Sequence, residues 1–309
     1  MRTTPTLVAL VTSAAIALAV TGCTSTPSAS AASGAASGSS SGPIKVVAGE
    51  NFWGNIISQI GGSHVAVTSI VSDPNADPHE YEASAANAAA IANANFVLEN
   101  GLGYDDFMSK LLSASPSSNR DVMSVQKILN ITGPNPNPHV WYDTAQLPQV
   151  SAAIVKELSK LDPKDAATFA ANGKTFDTSL TPILNVISEI KAKYAGTEIA
   201  YTERVPGYLV QAAGLKLGVP VTFTQAIEDG SDPSPADTAA FDAAVTSKTV
   251  KVLLYNGQVT DQATDNLKTL ATKSGVPIVG VSETLPTTDK NFQAWQLRQD
   301  TELLKALGN

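Results

Sequence analysis

Six short runs of β-branched and aliphatic residues punctuate the chain from Ile44 onward: IKVVA (44–48), VAVTSIV (65–71), ANFVLEN (94–100), TEIAY (197–201), VKVLLYN (250–256) and PIVGV (277–281). Between several of them lie stretches with helical spacing, such as NFWGNIISQIGG and SAANAAAIANA. This alternation constrains the fold more than any other feature. Strands separated by helices join as parallel strands through crossovers, so the pattern predicts α/β sheets flanked by helices and not a sandwich. In open sheets of this kind, ligands bind beyond the carboxyl ends of the strands.

The middle of the chain breaks the alternation. Residues 163–195 carry one extended helical pattern with no strand signal. Asp162-Pro163 opens it, since proline at the first helical position forfeits no needed hydrogen bond. Gly196 closes it as a C-terminal cap, and Pro182 predicts a kink or interruption inside. The reading is two lobes with parallel β-sheets flanked by helices, joined by a long connecting helix. The N-terminal α/β lobe is 44–162, the connecting helix 163–196 and the C-terminal α/β lobe 197–309, with a cleft between the lobes.

The residues before Ile44 predict export. Arg2 precedes an apolar stretch, TLVALVTSAAIALAV (6–20), in the manner of a signal peptide over 1–22. The sequence Val20-Thr21-Gly22-Cys23 reads as a lipobox whose cysteine thiol takes a diacylglycerol, and Cys23 is the chain's single cysteine. Residues 24–43 are almost wholly Ser, Ala, Gly, Thr and Pro. Such a stretch cannot bury enough apolar area to offset its chain entropy, so 23–43 is expected to be a lipidated cysteine and flexible tether. The expected location is extracytoplasmic, lipid-anchored to the bacterial cell membrane.

Charge and cysteine content exclude other classes. With 28 acidic against 20 basic residues, the chain lacks the basic footprint of a nucleic-acid binder. One cysteine rules out a disulfide framework and a cysteine-rich zinc module. No run of 18 apolar residues interrupts the body, so it is not polytopic in a membrane.

The chemistry narrows to few residues because there are only three histidines. His79 stands in Asp77-Pro78-His79 and His139 in Asn137-Pro138-His139. Each leaves a proline-rigidified loop and not a helix interior. Taken singly, either reads as a packing or surface histidine, and the repeated Pro-His context weakens that reading without deciding it. His64 follows a turn and begins a strand, and is assigned to surface or packing. Sites on two histidines are completed by carboxylates or cysteine, and Cys23 is committed to the lipid. Glu203 and Glu283 each follow an apolar strand by a few residues, at a strand's carboxyl edge. Glu80, Glu82, Asp143 and Asp232 remain competitors on sequence chemistry alone.

The segments NFWGNIISQIGGSHVAVTSIVSDPNADPHEYEAS, NPHVWYD, YTERVPGYLVQAAGLKLGVP and VPIVGVSETLP resemble the cluster A-I (cluster 9) substrate-binding lipoproteins of metal ABC transporters, the zinc and manganese family. The similarity spans about residues 44 to 307. It implies two α/β lobes on a long helix, with a metal in the cleft held by two ligands from each lobe. Carried over position by position, it implies His79, His139, Glu203 and Glu283 as the ligands, with Asp289 as the fallback for the fourth. The His-rich acidic loop of many zinc-specific members is missing, since no histidine lies between His79 and His139. Asp232 stands where relatives often carry Glu before Pro-Ser, and is taken as loop structure.

Two imidazoles and two carboxylates neutralise a divalent cation. No position is reserved for a substrate, so the set suits capture and delivery over hydrolysis. No catalytic residue or catalytic cofactor is expected. The resemblance implies an importer component that binds Mn²⁺ or Zn²⁺ as cargo, docks an ABC permease and works as a monomer. Glu203 tilts the choice towards manganese. The alternatives are a metal-dependent surface adhesin and a secreted metallohydrolase; against the latter, no HExxH or nucleophile elbow is present. Trp53, Trp141 and Trp295 are dispersed, so packing and not a stacking platform is expected of each.

Overall fold

The computed structural model describes residues 42–73, 81 and 84–308. The signal segment, Cys23 and the tether as far as residue 41, as well as His79, Glu80 and Glu82, lie outside the described residues.

The first half runs β1 (Ile44–Glu50), α1 (Asn51–Gly61), β2 (Val65–Val71), α2 (Ala85–Asn93), β3 (Phe96–Glu99), α3 (Asp106–Ala114), β4 (Asp121–Ser124) and a short α4 (Val125–Ile128). Three further helices follow: α5 (Leu147–Leu161), α6 (Ala166–Ser179) and α7 (Thr181–Tyr194). The second half runs β5 (Glu198–Tyr201), α8 (Gly207–Ala212), β6 (Lys216–Leu217), α9 (Val221–Glu228), α10 (Pro235–Thr246), β7 (Leu253–Asn256), α11 (Gln262–Ser274), β8 (Ile278–Val281) and α12 (Phe292–Leu307).

Each half forms a four-stranded sheet, ordered β2-β1-β3-β4 and β6-β5-β7-β8. All pairings are parallel, with Val46 opposite Val67 and Phe96 in the first sheet and Leu254 opposite Tyr201 and Val279 in the second. In both sheets the chain steps outward to one side and then crosses to the other. The order therefore reverses between β1 and β3, and again between β5 and β7. Crevices at such reversals collect ligands.

Residue alternation explains how the layers pack. In β1, Val46 and Ala48 enter one core while Val47 enters another; in β5, Ile199 and Tyr201 face the first core while Ala200 faces a third. Each sheet is thus apolar on both faces, as parallel sheets require. The largest core is shared: Phe52, Trp53 and Trp141 from the first half join Tyr201, Leu254, Phe292 and Trp295 from the second. Phe52 stacks on Trp141 at 4.1 Å, and Tyr142 meets Trp295 edge-on at 6.0 Å. All three tryptophans are buried packing residues. Polar bonds reinforce this join. Asn51 both donates to and accepts from the backbone of Leu285, at 2.9 Å each way, and the Tyr142 hydroxyl donates to Ser282 O at 2.7 Å.

The connector departs from the expected single helix over 163–196. It opens as a 3₁₀ turn at Pro163–Asp165, then forms α6 and α7, which meet at Leu180. Pro182 lies in the first turn of α7, where its missing N–H is harmless, so proline starts a new helix here instead of bending an old one. The two helices also have different partners: α6 packs on α1 and α5, α7 on α12. No helix among the described residues is long and apolar enough to cross a membrane.

Candidate metal site

His139 is wholly buried and caps the 3₁₀ turn Val140–Tyr142. Its ring is oriented by Asn137, whose Oδ1 accepts from both the His139 backbone N–H (3.0 Å) and Nδ1 (2.7 Å). The Asn137 amide is itself fixed, because its Nδ2 donates to Arg204 O at 2.7 Å. An amide oxygen can only accept, so Nδ1 carries a hydrogen, and in the neutral imidazole Nε2 is then the nitrogen with the lone pair. That nitrogen lies 3.5 Å from Glu283 Oε2.

Glu203 and Glu283 follow β5 and β8 and are buried. Asn256, the last residue of β7, donates from Nδ2 to Glu203 Oε2 in a short hydrogen bond and to Glu283 Oε1 at 2.8 Å. Tyr104, from the loop after β3, donates its hydroxyl to Glu283 Oε2 at 2.9 Å. These two donors are neutral. Arg204, next to Glu203 in the chain, turns its guanidinium to Glu228 instead, with Nη2–Oε1 at 2.7 Å and Nε–Oε2 at 2.8 Å. Two buried carboxylates and an imidazole nitrogen thus converge between the two halves. Paired carboxylates held by neutral donors favour a cation between them. A cavity of about 220 Å³ lies alongside, lined by Tyr104 and Pro138 from one half and Arg204 and Asp229 from the other.

The fold brings three of the four expected residues together; His79 lies outside the described residues. Asp289 is engaged elsewhere, in an ion pair with Arg298 at 2.8 Å. Asp143 is half-buried beyond the 3₁₀ turn and Asp232 is exposed. His64 pairs with Asp165 at 2.9 Å on the connector. Asn137, Tyr104 and Asn256 escaped the sequence reading. Only Asn256 left a signal there, as the polar residue ending the run VKVLLYN at a strand's carboxyl edge.

Because Asn137 sets the tautomer and angle of His139, Asn137→Ala is expected to weaken divalent-metal binding by about 10–100-fold, the usual effect of losing a histidine's second hydrogen bond. Calorimetric titration checks this, with circular dichroism confirming the fold.

The Tyr104 loop carries an acid of unusual character. The Asp105 carboxylate accepts from the N–H groups of Asn100 (2.6 Å) and Gly101 (2.8 Å), shaping the turn. Burial nevertheless pushes it up to about 7. Burial also drives Glu50, fully enclosed at the end of β1, well above the usual carboxylate range, with Asp105 and Glu99 adding repulsion. Between the ordinary aspartate value of 3.8 and about 7, the folded protein holds a proton that the unfolded chain has released. Stability from Asp105 is therefore greatest at the acid end of that window and falls as pH rises through it, by on the order of a few kcal/mol. Metal-free protein is expected to melt higher at pH 5 than at pH 8, and Asp105→Asn to flatten the slope in thermal scans. Metal binding runs the other way, weakening as the pH falls.

The family described as ZnuA, zinc-uptake complex component A, periplasmic, matches residues 46–306. The manganese-binding lipoprotein MntA of Halalkalibacterium halodurans is 26% identical over 137 residues, which span 43% of this chain and only 45% of that relative. The iron ABC transporter substrate-binding lipoprotein MtsA of Streptococcus pyogenes serotype M1 is 24% identical over 254 residues, covering 76% of this chain and 78% of that protein. Among solved structures, a Mn-bound periplasmic metal binding protein from Candidatus Liberibacter asiaticus superposes with a TM-score of 0.71 at 21% identity, over 85% of this chain and 98% of that one. That likeness speaks for the fold.

Proposed function

The chain belongs to the ZnuA family of periplasmic metal-uptake components, the substrate-binding proteins of metal ABC transporters, and from that premise we propose that it captures one divalent ion, Mn²⁺ or Zn²⁺, and hands it to a membrane permease. The proposed ligands are His79, His139, Glu203 and Glu283. One observation carries the reading: a buried imidazole, oriented through Nδ1 by Asn137, places Nε2 3.5 Å from one of two buried carboxylates at the join of the two halves. Two carboxylates and two neutral imidazoles balance a divalent charge, and a donor set filled by protein suits cargo and not turnover. The ion is cargo, taken up and released. In this reading Cys23 anchors the protein by lipid to the outer face of the cell membrane, residues 24–43 are its tether, and it works as a monomer.

Thermal shift of the chelated protein with Mn²⁺ or Zn²⁺ tests the ligand set. At a free metal concentration a hundredfold above Kd, linkage stabilises by about 2.7 kcal/mol. Glu283→Ala is expected to abolish that shift and Asp289→Ala to retain it. The reverse pattern would move the fourth ligand to Asp289, and an unshifted wild type would contradict metal capture.

A further inference from the structure

The loop that carries His139 has little means of holding itself in place. Pro134, Pro136 and Pro138 alternate with Asn135 and Asn137, and a proline has no N–H to donate. Asn135 also takes a left-handed backbone, with φ at 46°, a conformation that costs energy at any residue but glycine. Within the first half, Asn100 Nδ2 donates to Pro138 O at 3.0 Å. Three further contacts come from the second half, from the turn and helix that follow Glu203. Arg204 Nη1 donates to Asn135 O at 3.3 Å, the Tyr208 hydroxyl donates to Asn137 O at 2.9 Å, and Arg204 O accepts from Asn137 Nδ2. Gly207 permits this approach, because a Cβ there would stand 2.6 Å from Asn137 Nδ2. Glu228 of α9 takes the other edge of the Arg204 guanidinium in two parallel bonds, which fixes its plane.

Resting on the capture reading above, we propose that Arg204 is a positioning residue: braced by Glu228, it clamps the His139 loop of the first half to the Glu203 turn of the second. The imidazole then stands in its binding orientation before any ion arrives. A guanidinium suits the task because its hydrogens point outward in a rigid fork, so one edge can grip a carboxylate while another nitrogen reaches a carbonyl. An ammonium has no such fork. Glu203 precedes Arg204 in the chain, so one turn sets one proposed ligand directly and another through Asn137. Ordering the loop in advance spares the ion that cost and raises affinity.

The test uses the full chain, chelated and labelled with ¹⁵N-histidine, and reads the His139 ring by NMR without metal, assigned by its loss in His139→Gln. Wild type is expected to show a hydrogen-bonded Nδ1–H that exchanges slowly with water. Arg204→Ala alone would strand the buried Glu228 carboxylate, so the decisive variant combines Arg204→Met with Glu228→Met and removes the charge pair as a whole. It is expected to melt near wild type, to lose or broaden the Nδ1–H signal, and to bind Mn²⁺ and Zn²⁺ about tenfold more weakly in calorimetry. Arg204→Lys falls between. If the double variant does not fold, Gly207→Ala decides the matter: the added methyl displaces Asn137 while the ion pair stays, and the same two losses are expected. An unchanged ring signal or an unchanged affinity in a folded variant overturns the proposal, as does a wild-type ring without a protected Nδ1–H. A wild type that shows the protected signal but binds neither metal contradicts the capture reading and leaves the clamp standing.

Discussion

His139→Ala is expected to lower divalent-metal affinity by about a hundredfold to a thousandfold and to erase the metal-induced rise in melting temperature. Structural zinc sites supply roughly 10–16 kcal/mol through their ligands. Shared over four donors, one imidazole is worth about 3 kcal/mol, which is the stated range of affinity. The ring is also the donor whose geometry the fold controls most tightly, through Asn137 on Nδ1 and aromatic walls at Trp141 (5.2 Å) and Tyr104 (5.6 Å). Calorimetry reads the loss directly. An unchanged affinity would place the metal elsewhere.

Trp141→Ala carries the largest expected effect on the fold itself. The indole is fully buried, stacked on Phe52 and tilted against Tyr104 at 5.0 Å. Truncation leaves a cavity in the core shared by both halves and costs about 3–5 kcal/mol, or about 10 °C in melting temperature. Metal binding should weaken too, since the same cavity loosens His139 and Tyr104. Among the described residues the indole N–H has no hydrogen-bond partner. Trp141→Phe therefore loses no bond and keeps most of the ring, so its melting temperature should fall far less. Equal losses in the two variants would show that shape is not what Trp141 contributes. Its place beside His139 also makes its fluorescence a natural reporter of metal loading.

The parts of this architecture that could be read in the sequence are those with a strong local pattern. All six β-branched runs became strands within a few residues of their expected limits. The two strands with no such run, β4 (DVMS) and the two-residue β6, each lie at one edge of their sheet, opposite the edges β2 and β8 that did carry such runs. An edge strand pairs on one side and buries less, so its residues need not be apolar; Val122 of β4 is exposed. The break at Leu180 was legible only as a proline, and whether it bends or divides a helix depends on the separate partners that α6 and α7 find. Of the proposed ligands, Glu203 and Glu283 were signalled by strand ends and His139 by Pro-His. Asn137 and Tyr104 were not, and Asn256 only as the polar end of VKVLLYN, because their importance arises where β3, β7 and the 139 loop converge.

That convergence also bears on motion. The halves share an apolar core and are tied by Asn51–Leu285, Tyr142–Ser282 and Tyr104–Glu283. The last of these contacts acts directly on a proposed ligand. Small tilts about such a join fit the structure better than a wide hinge closure, and they would suffice to move Glu283 relative to His139.

The most direct test of the central claim is the stoichiometry of metal on the chelated protein, by calorimetric titration with Mn²⁺ and Zn²⁺ in parallel with native mass spectrometry. The account predicts one tightly held ion per chain, lost in His139→Ala and Glu203→Ala alike. Metal-free spectra throughout, or an ion retained by both variants, would contradict it.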